Sequence, residues 1–266
     1  ERAQPRGEAR QYDRACLSLS AERIQELEAT GTLKAIRFKV PPSGAAFDDA
    51  VHGPIAFDGA SIEDFVILRS DRYPTYHLSV VVDDIDMDIT DVIRGDDHIS
   101  NTPKRVLLFQ ALGARVPRFA HLPLILGPDK KRLSKRHGAT SVMEYQRQGY
   151  LAPAVVNFLA LLGWSPGDDR ELMTVQELVD SFTLEGISGG NAVFNTEKLD
   201  WMNGQYIARM PMEELAAAAR PFFEEASLGS HPLVAEPQAF HRLLELIRPR
   251  AKRLTEFVEQ ARPLLT

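Results

Sequence analysis

The chain has 266 residues, 44% hydrophobic and 26% charged, which is ordinary for a globular protein that buries a core in one large or two modest domains. The net charge of -6 at pH 7 argues against a uniformly basic coat for nucleic acid, so any contact with RNA has to be local. The sequence contains no run of about 18 apolar residues, which argues against a membrane span, and its single cysteine excludes an internal disulfide framework; both favour a cytoplasmic protein.

The first 14 residues are polar and rich in arginine, and they show no apolar period, so they are predicted to form a loop. Cys16 follows them as the one thiol of the chain. Zinc requires about four ligands, so Cys16 alone predicts no metal site. A small, buried or half-exposed cysteine is the favoured interpretation, with a remnant zinc ligand as the alternative.

A helix and several strands are predicted next. Residues 20–30 combine an N-capping Ser20 with apolar residues at helical spacing, which indicates a short surface helix. Residues 35–40 alternate apolar with polar or basic side chains and indicate a strand. The runs 53–57 and 65–69 are separated by an Asp-Gly turn, so the segment is predicted to be an antiparallel β insertion.

Residues 90–98 predict a short buried strand that leads into a helix with Pro103 in its first turn. A strand, a loop of functional residues and a helix form the layout of a nucleotide-binding α/β sheet. Arg94 lies near the strand end among seven aspartates between residues 83 and 97. The acids indicate a solvated rim or a divalent-metal site, whereas Arg94 could hold a substrate carboxylate through a bidentate pair of hydrogen bonds.

A basic segment at residues 126–138 contains five Lys or Arg side chains and one acid. The Gly-Pro pair near its start and the glycine at its end predict a mobile loop. Lysine, arginine and a serine hydroxyl on such a loop are suited to bind a triphosphate, although a charged run can also be a solvated surface face.

Helices dominate the remainder of the chain. Residues 144–163 are predicted to form one helix, and Thr174 and Asn195 each predict the start of a further one. Residues 241–262 carry six Lys or Arg against three Glu. This composition is consistent either with contact to a phosphate backbone or with a surface helix of mixed charge.

Two groups of motifs resemble a known family. The basic segment, with Arg-Leu-Ser-Lys-Arg-His-Gly, resembles the Lys-Met-Ser-Lys-Ser loop of class I aminoacyl-tRNA synthetases. Upstream, Pro-Thr-Tyr-His, Val-Val-Asp-Asp, Val-Ile-Arg-Gly-Asp-Asp-His and Asn-Thr-Pro are similar to the bacterial glutamyl-tRNA synthetases. The chain departs from the pattern at Arg132, where the loop has lysine and Lys131 stands beside it, and at Val80, where some members have asparagine.

The resemblance implies ATP-dependent activation of glutamate, with Mg²⁺, to glutamyl-adenylate, and transfer of glutamate to the 3′ end of tRNA(Glu). It further implies roles for individual residues. The implied catalytic residues are Lys135 and Ser134, the ATP-binding residues are Lys131, Arg132, Leu133 and Lys135, and the glutamate-binding residues are Tyr76 and Arg94. In some members a Tyr-Asp-x-x-Cys motif similar to the one ending at Cys16 closes a zinc site.

The implied fold class is α/β: a partial Rossmann-type catalytic domain with a β-containing insertion, followed by helical stem-contact and anticodon-binding regions. Residues 1–70 would be the acceptor-binding insertion, 71–140 the second catalytic half with the basic loop, 141–210 the stem-contact fold and 211–266 the start of the anticodon-binding domain. The sequence lacks a His-Ile-Gly-His-like motif, which binds ATP at a helix N-terminus in this class. We therefore expect the natural protein to be longer at both ends and the 266 residues alone to be inactive.

Three alternatives remain. A glutaminyl-tRNA synthetase shares the fold, but its loop usually reads Met-Ser-Lys-Arg-Lys. A tRNA-modifying paralogue lacks the helical domains that follow Gly163 here. A non-catalytic RNA-binding relative would keep the scaffold without turnover, and pyrophosphate exchange with glutamate and tRNA would distinguish it.

Overall fold

A computed structural model of the protein describes residues 12–133 and 141–265. The chain divides into two compact units, one ending at Leu122 and the other beginning at Pro123. This boundary lies inside the region 71–140 that the sequence predicts as catalytic. The four predicted regions themselves stay predictions.

The first unit combines short helices with β-strands. Its helices are α1 (Ala21–Ala29), α2 (Tyr76–Asp86) and α3 (Thr102–Ala111), its strands are β1 (Ile36–Arg37), β2 (Ala45–Asp49), β3 (Gly53–Phe57), β4 (Val66–Leu68), β5 (Asp91–Gly95) and β6 (Arg118–Leu122), and 3-10 turns cover Ala15–Ser18, Gly59–Ser61 and Asp96–Asn101. The predicted surface helix is confirmed as α1: the Ser20 hydroxyl accepts from the Arg23 N–H at 3.2 Å, and no residue of α1 is buried.

The predicted antiparallel β insertion is confirmed, with a different pairing of its strands. β1 pairs with β4, while β3 pairs with β2, a strand that the sequence analysis did not predict. The turn between β2 and β3 places Gly53 at a φ of 73°, in the left-handed region that a residue without Cβ adopts most readily.

One four-stranded sheet in the order β3-β2-β6-β5 brings distant segments of the first unit together. β5 runs parallel to β6, with Arg94 opposite His121, and β2 runs parallel to β6 through the pair Asp49 and Phe119. The carboxyl ends of β2, β5 and β6 therefore meet at one edge. Ligands of open parallel sheets bind outside this edge.

The strand and helix predicted around Arg94 are confirmed as β5 and α3, and Pro103 stands in the first turn of α3. β5 is less buried than predicted: it is an end strand of the sheet within the described residues, and Ile93 is 49% exposed. Helices α2 and α3 cover the sheet around the buried Val81, Val106 and Phe119. This core fixes α2 and α3 beside the carboxyl edge.

The second unit is mainly helical. Its helices are α4 (Val142–Arg147), α5 (Ala152–Ala160), α6 (Val175–Ser181), α7 (Thr196–Arg209), α8 (Met212–Glu225), α9 (Pro232–Ala235), α10 (Pro237–Ile247) and α11 (Leu254–Leu265), its strands are β7 (Ile125–Leu126) and β8 (Ala192–Val193), and a 3-10 turn covers Leu184–Gly186. The helix starts predicted at Thr174 and Asn195 are confirmed, since the Thr174 hydroxyl accepts from the Glu177 N–H and the Asn195 side-chain oxygen from the Lys198 N–H.

The prediction of one helix over residues 144–163 is wrong, because the segment is divided between α4 and α5. Gly149 follows the end of α4 with a φ of +84°, and the Tyr150 N–H donates to the Tyr145 carbonyl at 3.0 Å, a typical left-handed helix ending. α5 then starts afresh with Pro153 in its first turn, where proline has no N–H to lose. Gly149 and Pro153 both indicate a helix boundary in the sequence, but the apolar residues at helical spacing on either side of them led to the prediction of one continuous helix.

The largest core of the second unit extends across the predicted boundary at residues 210 and 211. It contains Leu151, Ala154 and Ile207 from one side together with Leu215, Phe223 and most of the apolar face of α10 and α11 from the other. The two predicted regions thus share one continuous hydrophobic core.

Candidate functional site

The candidate site lies at the carboxyl edge of the four-stranded sheet. β5 places Arg94 there, β6 places His121 beside it, and α2 and α3 contribute Tyr76 and Arg105 from the covering layer. All four residues belong to the first unit. Two of them, Tyr76 and Arg94, were predicted from the sequence.

Arg94 is half-buried and only partly occupied by hydrogen bonds. Its Nε donates to His121 Nε2 at 3.2 Å, and its Nη2 donates to Thr102 Oγ1 at 2.6 Å and to the His98 carbonyl at 3.3 Å. The remaining nitrogen, Nη1, is buried and has no partner within the structure. Burial, reinforced by the nearby Arg105, lowers the Arg94 pKa to about 10, so the guanidinium stays charged at neutral pH.

Arg105 is a second guanidinium of the site and was missed by the sequence analysis. It is 3% exposed, and its Nη2 donates to the Tyr76 hydroxyl at 2.8 Å. The guanidinium carbon lies 5.2 Å from the centre of the Tyr76 ring, while Tyr76 itself is 55% exposed. The available signal was an arginine among the apolar residues of a helix, a position where a charge needs a specific reason to be buried.

His77 and Asp84 complete the cluster. Burial, together with the positive charges of Lys104, Arg105 and Arg94, lowers the His77 pKa to about 4, so this imidazole is neutral. Burial raises the pKa of Asp84 although the two arginines oppose that shift. The surroundings therefore carry three cations, Lys104, Arg105 and Arg94, and one acid, Asp84, whose pKa is raised.

Unsatisfied polar atoms concentrate at this place. Within the described part of the first unit, the buried side-chain nitrogen and oxygen atoms without a partner are Arg94 Nη1, Arg105 Nε, His77 Nδ1 and Asp84 Oδ2. An unsatisfied buried polar atom costs about 1–3 kcal/mol, and such atoms are rare. Two of the four are guanidinium donors, which suits an anionic ligand that accepts hydrogen bonds.

The described part of the basic loop belongs to the second unit. A turn places Lys130 at a φ of 59°, and the Leu133 N–H donates to the Ile125 carbonyl at 2.9 Å. Lys131 and Arg132 are exposed, whereas Leu133 is partly buried and packs against the apolar cluster around Tyr150 and Phe158. The predicted catalytic residues Ser134 and Lys135 lie outside the described residues.

The basic C-terminal segment uses part of its charge within the protein. Arg248 donates to the carbonyls of Ala208 and Met210 at the end of α7, and Arg253 makes a two-pronged ion pair with Asp200 at 2.7 and 2.8 Å. These two arginines hold helices together. Any phosphate-binding face in residues 241–262 therefore has fewer basic side chains available than the six that the sequence contains.

Metal ligands are not gathered in the parts of the chain that the structure describes: residues 12–133 and 141–265 contain no group of three or more His, Cys, Asp or Glu side chains placed to hold an ion. Cys16 is exposed within the turn Ala15–Ser18 and not buried or half-exposed as predicted, and its N–H donates to the Tyr12 hydroxyl. None of the described helices is long and apolar enough to cross a membrane.

Comparisons with known proteins agree with the motifs. Residues 1–201 match the family "tRNA synthetases class I (E and Q), catalytic domain". The chain is 49% identical over 264 residues to a glutamate–tRNA ligase of Koribacter versatilis, covering 98% of this chain and 54% of that protein. It is 45% identical over 256 residues to a glutamate–tRNA ligase of Heliobacterium modesticaldum, covering 96% and 52%.

A solved structure is also similar, that of a glutamate tRNA ligase from Elizabethkingia meningosepticum in complex with its amino acid. The TM-score is 0.83 at 31% identity, covering 92% of this chain and 52% of that one. The chain spans about half the length of the curated relatives it matches. The sheet, its carboxyl-edge arginines, the motifs and these matches agree: the chain belongs to the class I tRNA synthetases of the glutamate and glutamine (E and Q) family.

Proposed function

We propose that this chain carries the amino-acid site of a glutamate–tRNA ligase, which activates glutamate with ATP to glutamyl-adenylate and transfers it to the 3′ end of tRNA(Glu). The observation that carries the proposal is the pair of buried guanidinium donors, Arg94 Nη1 and Arg105 Nε, that have no partner among the described residues. The relatives are named glutamate–tRNA ligases, and the similar solved structure was determined with its amino acid.

Arg94 would bind the side-chain carboxylate of glutamate. Because Nε and Nη2 already donate to protein acceptors, Nη1 is the atom with open donors. The proposed contact is therefore through Nη1 and not through the bidentate pair expected from the sequence. The exposed face of Tyr76 would adjoin the same ligand, with its hydroxyl oriented by Arg105.

Electrostatics favour glutamate over glutamine. The half-buried Arg94 and the buried Arg105 lie near Asp84, whose pKa burial raises, and Arg94 also lies near Asp49, whose charge the buried His121 shares. A ligand carboxylate compensates this positive charge, whereas a neutral amide does not and would also bring its own donors toward the arginine donors. The glutaminyl alternative is disfavoured on this ground. The helices α6 to α11, which follow Gly163, argue against the tRNA-modifying paralogue.

Adenylate formation requires attack of the glutamate α-carboxylate on the α-phosphorus of ATP while pyrophosphate leaves. Negative charge grows on the leaving group, so positioned cationic and hydrogen-bond donors accelerate the step. We propose Lys135 and Ser134 for this role, with Lys131, Arg132 and the Leu133 backbone contributing to ATP binding. Mg²⁺ supplies charge neutralisation at the phosphates in this enzyme class, and the described residues offer no ligand set for it.

The test uses the full-length product of the gene that encodes these residues. We expect ATP–pyrophosphate exchange in the presence of tRNA(Glu) that depends on glutamate and is not supported by glutamine. Charged tRNA should appear with the same substrate preference. A protein that binds tRNA but shows no exchange would instead be the non-catalytic relative, and exchange driven by glutamine would overturn the assignment of the anionic site.

A further inference from the structure

Asp49 and His121 form a fully buried pair behind the substrate arginine. They lie on the neighbouring parallel strands β2 and β6, and both side chains are 0% exposed. His121 Nδ1 and Asp49 Oδ2 are 2.6 Å apart. The pair connects the β insertion to the edge of the sheet where Arg94 lies.

Hydrogen bonds define which atom of this pair holds the proton. Asp49 Oδ1 accepts from the backbone N–H groups of Val51, His52 and His121 at 3.0, 3.1 and 3.2 Å. Burial raises the Asp49 pKa, but these bonds and that of the His121 side chain outweigh it, so the net pKa is lowered and the carboxylate is ionised. An ionised carboxylate only accepts, so His121 carries its proton on Nδ1.

The other imidazole nitrogen faces Arg94. Arg94 Nε always carries a hydrogen, and it donates to His121 Nε2 at 3.2 Å; the Thr102 hydroxyl, which accepts from Arg94 Nη2, lies 3.0 Å from the same nitrogen. Burial lowers the His121 pKa, with Arg94 acting in the same direction and Asp49 opposing it, so the ring is neutral. Nε2 is then an acceptor, and all donors in the series Arg94, His121, Asp49 point the same way.

We propose that Asp49 and His121 are positioning residues for the glutamate site: Asp49 selects the Nδ1–H tautomer of His121, and the acceptor thus created at Nε2 holds Arg94 so that Nη1 faces the substrate. This inference rests on the proposed function, in which Arg94 binds glutamate. A purely structural pair would stabilise the contact between β2 and β6 without affecting glutamate recognition.

Asp49→Asn separates these two possibilities. The asparagine oxygen stays on the three backbone N–H groups, since the opposite orientation would set its amide hydrogens against three donors. The amide nitrogen then faces Nδ1 and drives His121 to the Nε2–H tautomer, which opposes a donor to Arg94 Nε. The glutamate KM should rise roughly tenfold to a hundredfold, the range found when a group that orients a metal-binding side chain is lost, while the ATP KM stays close to that of the unmodified enzyme.

A second substitution tests the tautomer directly. In His121→Gln the side-chain oxygen can accept from Arg94 whatever residue stands at position 49, because an amide oxygen has no tautomer to switch. The glutamate KM, which rises in Asp49→Asn, should therefore return most of the way to the value of the unmodified enzyme in the double variant Asp49→Asn, His121→Gln. If the pair were only structural, the two substitutions would each impair the enzyme, and the double variant would be worse than either single variant.

The matched control is Asp48→Asn, which removes the neighbouring exposed carboxylate of the same strand and should leave both KM values unchanged. Nitrogen-15 NMR of the imidazole in the unmodified enzyme adds a readout that needs no variant. A protonated Nδ1 and an unprotonated Nε2 are expected for His121. The reverse tautomer would overturn the inference, even if Asp49→Asn failed to fold.

The outcomes distinguish this inference from the proposed function. Absence of glutamate-dependent exchange in the unmodified enzyme would contradict the proposed function itself. If exchange is present and Arg94→Lys raises the glutamate KM, but Asp49→Asn leaves it unchanged, only the positioning role is wrong. Equal loss for glutamate and ATP, without recovery in the double variant, would also leave the pair a purely structural one.

Discussion

Arg105→Met should weaken glutamate binding without destabilising the protein. Methionine fills a similar volume and removes the hydrogen bond of 2.8 Å from Arg105 Nη2 to the Tyr76 hydroxyl. A hydrogen bond to a charged group contributes about 1.5–3 kcal/mol. Because Tyr76 is 55% exposed, we take the lower end, which corresponds to roughly a tenfold rise in the glutamate KM.

Although Arg105→Met weakens glutamate binding, it should not lower the free energy of unfolding. Arg105 is 3% exposed, and its Nε has no partner in the part of the chain that the structure describes, so the substitution removes the cost of an unsatisfied buried donor. Asp84 loses a neighbouring cation but can take up a proton, since burial already raises its pKa. Removing one partner of a buried ion pair is destabilising when the other charge is left uncompensated, but a protonated Asp84 leaves no such charge, so Arg105→Met should be neutral or slightly stabilising.

The assay combines glutamate and ATP kinetics with thermal unfolding. Lys104→Met serves as the control, because Lys104 precedes Arg105 on the same helix but places its ammonium 5.6 Å from the Phe65 ring and not on Tyr76. A lower melting temperature with an unchanged glutamate KM would refute the reasoning. It would make Arg105 part of the fold and not of the site.

The remaining predictions concern the other charged groups. Arg94→Lys keeps the charge but loses the guanidinium plane, so the glutamate KM should rise strongly while the ATP KM changes little. A glutamate KM equal to that of the unmodified enzyme would contradict the assignment. Lys135→Ala should lower kcat for adenylate formation about a hundredfold, measured by single-turnover kinetics, and Arg132→Ala should be milder because a lysine adjoins it. If Lys135→Ala and Arg132→Ala changed only the KM for ATP, the loop would bind ATP without stabilising the transition state. Burial raises the Asp200 pKa, but hydrogen bonds from Arg253 and from a tyrosine hydroxyl outweigh it and lower the net pKa. The stability from this carboxylate is therefore present above its unfolded pKa and lost as pH falls through the folded value. Asp200→Asn should flatten that acidic limb of the melting temperature, and a limb as steep as before would show that other carboxylates produce it.

Local signals predicted local structure well. The strand and helix around Arg94 and the capped helices at Thr174 and Asn195 each depend on a few consecutive residues, and all are confirmed. The motif at Tyr76 and Arg94 placed both residues at one site, since the elements that carry them are close in sequence. Their roles in binding glutamate stay predictions.

Features that depend on distant pairing were not predictable in the same way. Asp49 and His121 are 72 positions apart and meet only because β2 and β6 are neighbours in the sheet. Nothing in the composition of residues 45–49 distinguishes a buried carboxylate from the exposed Asp48 beside it. Arg105 was missed for a related reason: its burial is determined by the packing of α3 against α2, which the sequence shows only as an arginine in an apolar helix.

The helix break at Gly149 has a consequence for the order in which the second unit can fold. The Gly149 carbonyl accepts from the Leu254 N–H at 2.9 Å, and Thr255 Oγ1 donates to the Gln148 carbonyl across 107 positions of sequence. A Cβ at Gly149 would lie 2.7 Å from the Thr255 nitrogen, so α11 fits only against glycine. On the ribosome, the turn between α4 and α5 thus stays incomplete until α11 has emerged, about 5–20 s later at usual synthesis rates. During that interval the apolar residues of α4 and α5 would be accessible to chaperones, because the core that covers them has not yet formed.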